Sequence, residues 1–182
     1  ANDFHGRVNF LPTAISEIKA QDWRITSAPH HNHNDTAPYA VAAQLWFDQY
    51  LKGTFKWPAT PRTEVKLKTA SGLPMVTVRA DQSRPIQSLK VYYCQHGGIY
   101  KNHSHNAHRF WRSATVRKQG DLWVAELPLY CTDRPLWVYA DAEYRLDEPI
   151  SFSGYYYQDQ TAESFHVSSV IELIKPEKLQ SV

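Results

Sequence analysis

The sequence predicts an α+β chain in which a helix–strand–helix segment over residues 1–57 is followed by an antiparallel β-sandwich over residues 58–182. Apolar residues fall at helical spacing in the first part, and period-two alternation takes over after the Pro-rich joint Trp57-Pro58-Ala59-Thr60-Pro61. Turn residues then recur between short alternating runs at the spacing of a sandwich of about 115 residues.

In order along the chain, Pro12 suits a first helical turn, and Leu11, Ile15 and Ile18 continue a helix to about Ala20. Trp23–Ala28 reads as a short extended run cut off by Pro29, and His30-His31-Asn32-His33-Asn34-Asp35 reads as a polar loop. Thr36 is the expected N-cap of a second helix, with Pro38 in its first turn and Gly53 past its end. Val41, Ala42, Leu45, Trp46 and Gln49 trace a stripe wide enough to need a partner surface. Strands are expected at Glu64–Lys68, Met75–Ala80, Leu89–Gln95, Arg109–Arg117, Leu122–Leu127, Leu136–Tyr144, Ser151–Tyr157 and Phe165–Ile174. The turns between them include Ser71-Gly72, Gln119-Gly120-Asp121, Thr132-Asp133-Arg134-Pro135 and Asp147-Glu148-Pro149.

A lone helix–strand–helix unit cannot close a core of its own, because its apolar faces stay wet at about 25 cal/mol per Å². Residues 1–57 must therefore dock on the sandwich or be the end of a larger sheet domain. The start Ala1–Gly6 has no initiator Met, basic n-region or apolar h-region, so the chain is expected to begin inside a longer gene product.

Composition narrows the function classes. Hydrophobic residues make up 42% of the chain, enough for a core, and no run reaches the roughly 20 apolar residues of a membrane span. Twenty Lys and Arg against 18 Asp and Glu leave a charge of +2 scattered along the chain, without a basic patch. Neither nucleic acid nor a membrane is an expected partner, and no cofactor is implied. Cys94 and Cys131 allow one disulfide or two thiols and stand in no metal or redox spacing, so they do not fix the compartment.

The candidate chemistry lies in the order acid, helix, strand, His loop, helix. In a doubly wound sheet, loops at the carboxyl ends of neighbouring strands converge on one crevice. About 30 residues separate Asp3 from His33, which is what one crossover helix and one buried strand consume. A carboxylate against an imidazole fixes its tautomer and stabilises its cation, the acid–base half of a Ser-His-Asp triad.

Asn2-Asp3-Phe4, Ala28-Pro29-His30-His31-Asn32-His33 and Leu45-Trp46-Phe47-Asp48 with Leu51-Lys52-Gly53 resemble the C-terminal end of α/β-hydrolases in the acetyl-xylan-esterase/dienelactone-hydrolase-like group. They also resemble the PhoPQ-activated pathogenicity-related proteins, whose β-sandwich tail Arg109-Phe110-Trp111-Arg112 and Gly120-Asp121-Leu122-Trp123 match. The resemblance implies Asp3 as triad acid and His33 as triad base, with His31 the alternative base. His30 stands where the relatives often have Asn, and no Gly-x-Ser-x-Gly elbow occurs, so the nucleophile and oxyanion hole are expected in an upstream α/β-hydrolase half of the same gene product. The activity implied is hydrolysis of a small ester or an acylated carbohydrate.

Two other readings stay open. His103, His105 and His108 could chelate a metal, although their segment after Gly97-Gly98 reads first as a solvated hairpin loop. Trp111 and Tyr155-Tyr156-Tyr157 could stack on sugar rings in a non-catalytic carbohydrate-binding or interaction module, or pack in the core.

Overall fold

The computed structural model describes residues 10–18, 22–31, 36–95, 109–153 and 159–180. It is an α+β structure with antiparallel sheets and few helices.

Helix α1, Leu11–Glu17, carries a Pro in its first positions and ends earlier than its periodicity suggests, because Ile18 turns to an extended ψ of 99°. None of its side chains is buried. Helix α2, Ala37–Phe47, is capped as its sequence predicts: the Tyr39 N–H donates to Thr36 Oγ1 at 3.3 Å. It then widens into a π-helical turn, Asp48–Lys52, which stops where Gly53 adopts φ 66°. Only glycine takes that left-handed conformation without a Cβ penalty. Val41 and Leu45, each 2% exposed, join Trp57 in the main hydrophobic core, so α2 docks on the sheets.

The strands are β1 Arg62–Lys66, β2 Met75–Arg79, β3 Ile86–Cys94, β4 Arg112–Ala114, β5 Val116–Gln119, β6 Leu122–Glu126, β7 Leu136–Phe152, β8 Gln160–Ser168 and β9 Glu172–Ile174. A short helix α3, Pro176–Gln180, follows. One sheet has the order β1-β2-β6-β5 and the other β4-β3-β7-β8, with β9 paired to the start of β7. Alternate residues of both sheets, among them Val76, Val78, Val91, Val138 and Val167, are fully buried in the core that receives α2.

Four of the expected strands and one expected turn differ. The run Arg109–Arg117 is two strands on different sheets, since Ala114 pairs with Val91 of β3 while Val116 pairs with Ala125 of β6. The chain changes sheet at Thr115 without breaking its alternation. The strands expected at Leu136–Tyr144 and Ser151–Tyr157 are joined in the 17-residue β7. Asp147-Glu148-Pro149 is a bulge between Arg145 and Ile150 rather than a turn, a place where a residue lacking an N–H is tolerated. The last expected strand is broken into β8 and β9 by Ser169, which exchanges bonds with Ala140: its N–H donates to Ala140 O at 2.8 Å and its Oγ accepts the Ala140 N–H at 2.9 Å.

Trp23–Ala28 runs along β8. The Ile25 carbonyl accepts the Ser168 N–H at 2.7 Å and Thr26 Oγ1 donates to His166 O at 3.0 Å.

Candidate functional site

Strand β7 is buried on both sides. Its even-numbered residues from Leu136 to Tyr144 fill the core, and its odd-numbered residues lie on the opposite face, where Trp137 and Tyr139 meet Cys94, Trp111 and Ile171 in a second apolar cluster. Further along that face the odd positions turn acidic. Asp141 stands between Lys90 of β3 and Ser168 of β8, and Glu143 stands between Ser88 and His166.

These rungs form a polar network. His166 Nδ1–H donates to Asp141 Oδ2 at 2.7 Å, and Ser168 Oγ donates to Asp141 Oδ1 at 2.7 Å. Ser88 Oγ and Ser164 Oγ each donate to one oxygen of Glu143, at 2.7 and 2.8 Å. Asp141 is only 5% exposed, and a carboxylate taken out of water is tolerated when charge and hydrogen bonds replace its hydration. Burial works against the His166 cation, but the Asp141 hydrogen bond and the charges of Asp141 and Glu143 outweigh it and raise the imidazole above its ordinary value. Burial likewise pushes Glu143 up, and the two serine hydroxyls with His166 more than reverse this, leaving its carboxyl below the usual range.

The aromatic end of the face is drier. Tyr92 and Tyr139 lie 5.3 Å apart, and burial raises both phenols, helped by the nearby Asp141 carboxylate. The Tyr139 hydroxyl is buried and has no hydrogen-bond partner among the described residues. The Arg109 guanidinium sits 3.9 Å over the Trp137 ring, where burial lowers it to about 10.

This network is not a nucleophile site. The Ser168 proton points at the carboxylate rather than at the imidazole, so His166 cannot take it, and both Asp141 oxygens are occupied. A cleft of about 700 Å³ beside Ser88 is lined by Arg84 and Lys118 as its ionisable groups and holds no acid–base pair.

Asp3 and His33 lie outside the described residues, as do His103, His105, His108 and Tyr155–Tyr157. His31 is exposed. His30 adopts φ 62° after Pro29, its Nε2–H donates to Trp111 O at 2.8 Å and its ring lies 5.1 Å from Phe110, which ties the entrance of the His loop to the sheets. Trp111 is 2% exposed and packs edge-on against Tyr139, which makes it a core residue rather than a sugar platform. Cys94 and Cys131 are thiols, and Gln95, next to Cys94 in the chain, donates to Cys131 O at 2.6 Å and accepts the Tyr130 N–H at 2.9 Å. Among the described residues no group of three His, Cys, Asp or Glu is placed to hold a metal.

The Asp141 network escaped the sequence reading, although it left a signal: Asp and Glu at alternate positions inside an otherwise apolar strand, where both are disfavoured unless partnered. No family model, curated protein or solved structure matches the chain.

Proposed function

We propose that the chain is the C-terminal part of a serine-type α/β-hydrolase, a carboxylic-ester hydrolase of acylated carbohydrate or a related small ester, with a β-sandwich as its accessory domain. His33 takes the proton of a serine supplied by the upstream half, and Asp3 holds the imidazole in the tautomer this requires. Upstream backbone N–H groups stabilise the oxyanion, and the sandwich forms one wall of the crevice.

The observation that carries this reading is the exposed apolar side chains at the end of α1 and on α2 with its π-helical turn. Ile18, Phe47 and Leu51 are 42%, 56% and 77% exposed, although α2 is already docked through Val41 and Leu45. Apolar side chains mark an interface where they group into one patch, and in this reading the upstream half of the hydrolase sheet covers these three. A serine-directed fluorophosphonate tests the assignment on the gene product extended upstream of Ala1. The label is expected on a serine before residue 1; labelling of a serine within the present chain overturns the reading.

A further inference from the structure

We propose that Asp141 is a positioning residue: acting through Ser168, it fixes the segment Ile25–Ser27 that leads into the His loop. The inference rests on the hydrolase reading for its functional meaning and on hydrogen bonds for its mechanics.

A serine hydroxyl has one proton. Because Ser168 Oγ gives it to Asp141 Oδ1 at 2.7 Å, its lone pairs are left to accept the Ser27 N–H, which they do at 2.9 Å. The Ser168 N–H donates to Ile25 O at 2.7 Å and Thr26 Oγ1 donates to His166 O at 3.0 Å, so three successive residues of the segment are tied to β8. Ser168 is fully buried, which removes water as a competitor for these bonds. His30, a few residues on, is pinned to Trp111 O at 2.8 Å, so the entrance to the loop is held from two sides.

His166 completes the partners of Asp141, its Nδ1–H donating to the second carboxylate oxygen at 2.7 Å. The groups facing His166 are Asp141 and Glu143 from β7 and Lys90 from β3, with Thr26 of the clamped segment at its carbonyl. Tyr92 of β3 senses the same two carboxylates. Asp22 and Arg24, just before the segment, pair with each other. Deprotonation of His166 removes its positive charge from beside Asp141 and Glu143, with Lys90 remaining as a cation near them, while the neutral ring keeps an Nδ1–H that can donate to Asp141 Oδ2.

Amide hydrogen exchange on this chain, divided by the intrinsic rate at each pH, tests the clamp. In S168A and D141A the Ser27 amide is expected to exchange about tenfold faster or more, while Val78, in the other sheet, stays protected. Unchanged Ser27 exchange in S168A overturns the proposal, and so does equal loosening of Ser27 and Val78, which is a global effect. In the upstream-extended gene product, S168A is expected to lower kcat for p-nitrophenyl acetate by about tenfold or more with KM within about twofold, the signature of a displaced catalytic group. Unchanged kcat alongside faster Ser27 exchange refutes the positioning role but leaves the hydrolase reading standing. Absence of any turnover by the wild-type gene product refutes that reading, and the positioning role with it, while leaving the clamp to the exchange experiment.

Discussion

Ser168 donates its hydroxyl proton to Asp141 at 2.7 Å although the two residues are 27 positions apart, and this single bond decides which way the serine lone pairs point. Asp141 is thereby partnered on both oxygens at a site only 5% exposed. The cost of disturbing it follows from what stays behind.

Asp141→Ala leaves a buried hydroxyl and an imidazole without their acceptor, and a loss of about 3 kcal/mol is expected. Urea unfolding measures it. Asp141→Asn keeps the shape and one acceptor, so its loss is expected to be smaller.

His166 titrates above its ordinary 6.5 in the folded chain, so the sign of its linkage is fixed. A raised folded value means that the folded state binds the proton more tightly. The stabilisation is fully present below about pH 6.5 and is lost as the pH rises through the folded value. The His166 ring resonances are expected to titrate with a midpoint above 6.5 and to move down in Asp141→Asn. A wild-type midpoint below 6.5 contradicts the assigned ion pair.

Phe165 sits among three aromatic rings, stacked on Tyr144 at 5.5 Å and edge-on to Phe55 and Trp57 at 5.2 Å each. Phe165→Ala empties that site and is expected to cost about 3–5 kcal/mol, read as a lower urea midpoint. Phe165→Leu refills most of the volume and is expected to cost less than half as much.

Gly53 ends the helical stretch at φ 66° with open space where a Cβ would go. Gly53→Ala is therefore a test of backbone strain alone, and a loss of about 1 kcal/mol is expected. Gly53→Asn is expected to be milder, because Asn tolerates the left-handed region.

What could be read from the sequence was what local chemistry decides. Thr36, Pro38 and Gly53 announce α2 because a cap, a first-turn proline and a left-handed stop each act within a few residues. The edges of β2 and β6 follow from one-sided alternation. The change of sheet at Thr115 was illegible because the period does not alter when the partner does. Asp147-Glu148-Pro149 misled for a related reason: the residues that suit a turn also suit a bulge, and only pairing with β8 distinguishes them. The Asp141, His166 and Ser168 contacts join residues 25 and 27 positions apart, a juxtaposition that sheet register creates and local pattern does not carry.

The central claim is that Asp3 and His33 are the acid and base of an ester hydrolase completed upstream of Ala1. Turnover of p-nitrophenyl acetate by the upstream-extended gene product tests it most directly, with His33→Ala and Asp3→Asn beside the wild type. The account predicts that each substitution lowers kcat by about 10³-fold or more, and that the present chain alone is no faster than free histidine. Full activity in His33→Ala, or turnover by the present chain that a serine-directed inhibitor abolishes, contradicts it.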